Sequence, residues 1–266
     1  MNGPVARVLL IGVPAPPPIR STNERKLAYG KTAVGFPELD TVPEELEWFD
    51  DLLTARLGER NMSLTRVVSP ANTTSEKVRK AITEAVSLEP VPPLLILYLA
   101  GHGVQFERPA DDDGAATSLN GSRRFDEAFA TSDGYVLDRE LKRMLDAKPA
   151  TTRLIAFVDT CHADGMLGVR GVQALDIVEE LAEGEFGRLV ISSSRKTMTA
   201  PELRQGGVLS TTLRRIVEDP ENVRTYRTLC ASLARVAAEV YQQQIVVRYT
   251  AADGTFLDTM PFASET

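Results

Sequence analysis

The chain has 266 residues, 43% of them hydrophobic and 25% charged, with a formal net charge of −7 at pH 7. That length gives one large domain or two small ones with room for a proper core, and the acidic balance excludes a dedicated nucleic-acid binder, which needs a basic face. Two cysteines and two histidines exclude a disulfide framework and zinc-finger spacings, and they set a reducing, cytoplasmic environment as the expectation.

The first apolar run, Val5–Val13, reads as a buried strand. It is too short for a secretory core and runs straight into Pro14-Ala15-Pro16-Pro17-Pro18. Pro14–Val42 then shows neither helical nor strand periodicity. Pro43–Leu57 spaces Leu46, Phe49, Leu52 and Leu53 as one face of a helix. Leu64–Val68 is a weaker strand, and Thr73–Val86 a helix with Asn72 as its expected cap. Leu94–Ala100 is the most apolar run, and at this length it is a buried strand, far short of the ~20 residues that span a bilayer. Gln105–Gly134 again lacks periodicity, as functional loops do. A helix over Leu137–Leu145, strands over Leu154–Val158 and Leu189–Ser192, helices over Leu209–Val217 and Tyr226–Tyr241, and a late strand over Ile245–Tyr249 complete the set. Strands alternating with helices predict an α/β fold, a mostly parallel central sheet with helices on both faces, as a single domain over residues 1–266.

In such a sheet, ligands bind at the carboxyl ends of the strands. Gly101-His102-Gly103 follows one apolar run, and Asp159-Thr160-Cys161-His162 follows another. An imidazole near a thiol can take its proton, and the backbone N–H groups of Gly103 and Cys161 can hold an oxyanion. His162 points away from its neighbour at a strand end and is read as structural. Cys230 lies among Leu229, Leu233 and Val236 and is read as core. Asp159, two residues before Cys161, shares its strand face and is expected beside the thiol.

Leu94–Gly103 (LLILYLAGHG) and Leu154–Gly165 (LIAFVDTCHADG) resemble the His and Cys signatures of caspase-like cysteine peptidases, the second being closer to metacaspases. Ile191–Ala200 and Gly207–Leu213 are similar to the metacaspase strand, loop and helix start that follow the catalytic strand. Leu39–Leu46 is a fainter match, with Glu45 in the place of an aspartate. The resemblance implies a caspase-like three-layer fold, a catalytic His102–Cys161 dyad and protein substrates cut after Arg or Lys. It places Asp159 and Glu45 in the pocket for that basic residue. It also implies a cell-death or defence setting with an upstream activating protease or regulatory partner. No organic cofactor, resident metal, nucleic acid or membrane is implied. Calcium stays open, because many metacaspases use acidic residues near the segment matching Asp133–Glu140, which Arg139 interrupts here. The alternative is a catalytically weak module of the same fold that works by binding partners.

Several decoys fail. Gly30-Lys31-Thr32 lacks the first glycine of a phosphate loop, Ser192-Ser193-Ser194 has no nucleophile elbow, and Asp111–Gly114 lacks EF-hand spacing. An enzyme that cuts after arginine should cut its own exposed loops, and Arg123, Arg124 and Arg170 are the expected positions.

Overall fold

The computed structural model describes residues 4–107, 125–160, 178–180, 187–194, 207–218, 223–250 and 255–262. In chain order the main elements are β1 (Ala6–Val13), β2 (Ile19–Arg20), β3 (Ala33–Val34), α1 (Val42–Leu57), β4 (Met62–Val67), α2 (Ser75–Ser87), β5 (Leu94–Gly101), β6 (Gly103–Glu107), β7 (Phe125–Thr131), β8 (Gly134–Leu137), α3 (Asp138–Asp146), β9 (Arg153–Asp159), β10 (Val178–Glu180), β11 (Arg188–Ser194), α4 (Val208–Val217), α5 (Tyr226–Tyr241) and β12 (Gln244–Thr250). Among the described residues, seven strands form the central sheet in the order β10-β12-β11-β9-β5-β1-β4.

The long apolar runs are the interior strands of this sheet. β1, β5 and β9 pair in parallel and bury both faces, which is why they read as continuous hydrophobic stretches rather than alternating ones. Alternate residues face opposite layers. Ile96, Tyr98, Ile155 and Phe157 pack in the core beneath α1, α4 and α5, while Leu97, Leu99, Ala156 and Val158 pack in the core beneath α2 and α3. The mostly parallel sheet between two helical layers is the expected fold class. The late strand β12 runs antiparallel to β11, so the sheet is mixed at that side.

Three segments depart furthest from the sequence reading. α2 starts at Ser75, and Thr74 caps it by accepting the Lys77 N–H, because Asn72 instead accepts from the Lys77 ammonium at 3.3 Å. The segment Pro14–Val42 contains the β2–β3 ladder. Gln105–Gly134, expected to be loop, contains most of β6 and all of β7, which pair antiparallel and extend to β8 as a small second sheet. β7 hides its strand character because Asp126 and Glu127 are buried in it. Asp126 is held by Arg25 at 3.2 Å and Arg139 at 3.9 Å, and Glu127 accepts from the Gln105 amide at 3.3 Å. Inward-facing charges break the apolar pattern that sequence reading depends on.

Candidate active site

The register of the sheet brings the two motif-bearing strands level. Ala100 on β5 pairs directly with Asp159 on β9. His102 and Cys161 each follow their paired residue by two positions, so the two chains leave the sheet side by side at its carboxyl edge. The exit of β5 depends on Gly101, whose φ of 151° few other residues adopt. A Cβ there would also lie 3.0 Å from the Val13 carbonyl oxygen and 3.3 Å from the Phe129 ring. The chain turns at this point, and β6 begins a different sheet one residue after the histidine.

His102 is buried, with its ring 4.9 Å from that of Phe36. Its Nε2 lies 2.8 Å from the carbonyl oxygen of Pro37. A carbonyl only accepts, so in the neutral ring Nε2 carries the proton and Nδ1 is the nitrogen that can take one. Pro37, absent from the sequence reading, thus sets the tautomer. Gly103 pairs with Phe129 across β6 and β7, while the Ala130 N–H donates to the His102 carbonyl. That pattern marks Gly103–Phe129 as a pair without mutual hydrogen bonds, so the Gly103 N–H points away from β7. Cys161 lies outside the described residues, as do Arg123, Arg124 and Arg170.

Asp159 and Glu45, far apart in sequence, meet at the N-terminus of α4. The Ser210 N–H donates to Asp159 Oδ2 at 2.9 Å, and the Gly207 N–H donates to Glu45 Oε1 at 2.8 Å. Gly207 is wedged against Asp159, and a Cβ built on it would collide with that carboxylate. Thr41 donates to Glu45 Oε1 at 3.1 Å and the Tyr98 hydroxyl donates to Oε2 at 3.4 Å. Burial, and then the neighbouring Asp159 charge, raise the Glu45 carboxyl from 4.5 to about 8; hydrogen bonds from Gly207, Thr41 and Ser210 oppose the rise. Tyr98 is raised too, first by burial and then by the two carboxylates. The sequence reading named both acids but missed Thr41, Tyr98 and Ser210. Tyr98 carried a signal, as the single polar tip within the apolar β5 run.

The remaining candidates resolve differently. Cys230 is fully buried in α5, and burial pushes its thiol up to about 12, so it is core. Asp133 accepts from the Ser75 N–H at 2.7 Å and from Thr131 at 3.0 Å, which helps to cap α2 and lowers its pKa against the opposing effect of burial. Glu140 accepts from the Leu137 N–H and from Arg79, while Arg139 reaches Asp126. The acids of the segment matched to calcium sites are thus engaged in helix starts and ion pairs. Among the described residues no group of three His, Cys, Asp or Glu side chains converges to hold a metal ion. No described helix is long and apolar enough to cross a membrane.

A strand-end histidine with Nε2 on a carbonyl thus stands level with a strand that runs, in sequence, into a cysteine. A caspase-domain family model matches residues 34–258, most of the chain, and the protein belongs to that family. Its class of activity is therefore that of a cysteine peptidase acting on protein substrates. Among the solved structures that share the fold are two with nearly full coverage. Protein GSU0716 from Geobacter sulfurreducens is 19% identical with a TM-score of 0.68, covering 99% of this chain and all of that one. Caspase-1 from Spodoptera frugiperda is 12% identical with a TM-score of 0.58, covering 99% of this chain and 92% of that one. No curated protein matches in sequence. Family membership favours the peptidase over the partner-binding module.

Proposed function

We propose that the protein is an endopeptidase of the metacaspase type that cleaves proteins after arginine or lysine through a His102–Cys161 dyad. His102 Nδ1 takes the Cys161 proton, and the thiolate attacks the scissile carbonyl carbon. The N–H groups of Gly103 and Cys161 hold the oxyanion. As the C–N bond breaks, His102 returns the proton to the leaving amine and leaves a thioester. A water molecule, deprotonated by the same nitrogen, hydrolyses that thioester and frees the cysteine. The observation that carries the dyad is the Pro37 carbonyl on Nε2, which reserves Nδ1 for the proton.

The specificity rests on Glu45 and Asp159. Asp159 ends the strand and precedes by two positions the cysteine that would meet the substrate carbonyl, which supports a place for its carboxylate in the pocket. Two buried carboxylates facing one helix start form an environment that favours a cation and rejects an anion. Regulated proteolysis in cell death or defence, in a cytoplasmic setting, is the role that the metacaspase resemblance supports. The test is kinetic, with matched fluorogenic peptides carrying Arg, Lys, norleucine or Asp before the scissile bond. His102→Ala and Cys161→Ala should each abolish turnover while the fold persists by circular dichroism. Asp159→Ala should lose most of the preference for Arg over norleucine, since breaking a desolvated ion pair on one side costs ~3–5 kcal/mol. Efficient cleavage after Asp by the unmodified protein would refute the specificity, and full activity in either dyad variant would refute the mechanism.

A further inference from the structure

Two neighbours in sequence hold the His102 ring at two places. The Pro37 carbonyl holds Nε2 at 2.8 Å, and the Phe36 ring lies 4.9 Å from the imidazole, tilted 35° to it. A single hydrogen bond fixes one corner of an imidazole and leaves the ring free to rock about that contact. A flat ring packed against the imidazole face fixes its plane as well, and this separation is ordinary for packed aromatic rings.

The Phe36-Pro37 clamp is stiff by sequence and tied at both ends. The residue before a proline is confined to extended conformations, and the proline's own φ is locked. The Phe36 ring and the Pro37 carbonyl therefore keep one relative placement. On the N-terminal side, Val34 pairs with Ile19 in the β2–β3 ladder. Val34 and Phe36, two apart on an extended chain, pack on the same cluster of Ile19, Leu27, Val104 and Phe106. On the C-terminal side, the Leu39 N–H donates to the Pro14 carbonyl at 2.9 Å. Pro14 follows Val13, which pairs with Gly101, the residue before His102. The clamp and the histidine are thus anchored to the same edge of the central sheet.

We propose that Phe36 is a positioning residue for the base: its ring sets the plane of the His102 imidazole, so that Nδ1 is held in a single direction while Pro37 keeps the proton on Nε2. The inference rests on the dyad proposed above and adds what holds its base in place. Proton transfer needs a near-linear approach within hydrogen-bond reach, so a ring free to rock spends little of its time in reacting geometry. Loss of the ring face should therefore fall on kcat and leave KM little changed, because Phe36 acts through the histidine and not on the bound peptide.

The test has two readouts. The chain has two histidines, so His162→Asn leaves His102 as the one imidazole that long-range proton–nitrogen NMR sees in protein made with isotope-labelled histidine. At a pH that leaves the ring neutral, the expected spectrum shows one protonated and one bare nitrogen, the Nε2–H tautomer. Phe36→Leu should average the two signals toward a mixture of tautomers. In steady-state cleavage of an Arg fluorogenic peptide, Phe36→Leu should lower kcat about 10–100-fold with KM little changed. Phe36→Tyr, which keeps the ring, should restore kcat. Val34→Ala loosens the same apolar cluster without removing a ring from His102; it should lower the melting temperature and keep both kcat and the single tautomer. Wild-type kcat and the wild-type tautomer in Phe36→Leu would overturn the positioning, and so would an equal loss of kcat in Val34→Ala. A wild type that cuts no basic peptide would overturn the proposed activity instead, and the NMR readout would then decide the positioning by itself.

Discussion

Position 207 illustrates how one atom governs the site. Its φ of −64° is ordinary, so alanine would meet no backbone strain; the added methyl would strike the Asp159 carboxylate instead. Gly207→Ala should therefore cost about 1–3 kcal/mol of stability by overpacking. It should also raise KM for Arg peptides more than it lowers kcat. Steady-state kinetics with a chemical melt would check both. The cysteines should separate as clearly. Cys230 is buried with its thiol pushed up to about 12, so iodoacetamide should alkylate Cys161 far faster, as peptide mass mapping would show. Glu45 predicts a stability profile without reference to activity. The unfolded side chain ionises near 4.5, while the folded one keeps its proton to about 8. The stability this proton contributes is fully present below 4.5 and is lost as the pH rises to about 8, at no more than about 1.4 kcal/mol per pH unit. Glu45→Gln cannot ionise, so its melting temperature should gain on the wild type steadily from pH 5 to 8. A constant gap over that range would contradict the buried, proton-bound Glu45.

Among the elements, α2 shows what two caps contribute. Thr74 accepts the Lys77 N–H while Asp133, from the turn between β7 and β8, accepts the Ser75 N–H. Thr74→Ala should cost about 1 kcal/mol, measured by urea unfolding, because Asp133 still satisfies one of the exposed donors. The interior strands were legible in the sequence because both their faces are buried, which leaves no polar alternation to confuse. β7 was not. Its inward Asp126 is matched by Arg25, about a hundred residues away, and by Arg139, and no local pattern signals a partner at that range. The strand-end rule found His102 and Asp159, whose positions follow from the sheet. Glu45 came only from resemblance, because its meeting with Asp159 is made by the packing of α1 and α4 across the sheet edge. Pro37 and Tyr98 acquire their roles through contacts that periodicity does not encode.

For the molecule as a whole, the proposed specificity would make basic residues of its own chain substrates. Arg123, Arg124 and Arg170 offer it basic sites within its own chain. Concentrated wild-type protein should accumulate discrete fragments ending at one of these arginines, and Cys161→Ala should stay whole, as intact-mass spectrometry would show. A chain that remains single through long incubation, with or without calcium, would point to control by a partner. The central claim, a cysteine dyad that cuts after basic residues, is met most directly by one measurement. A proteome-derived peptide library is incubated with the wild type and with Cys161→Ala, and the new termini are mapped by mass spectrometry. The account predicts new termini following Arg or Lys with the wild type and none with the variant. Cleavage after aspartate, or termini that persist in the variant, would contradict it.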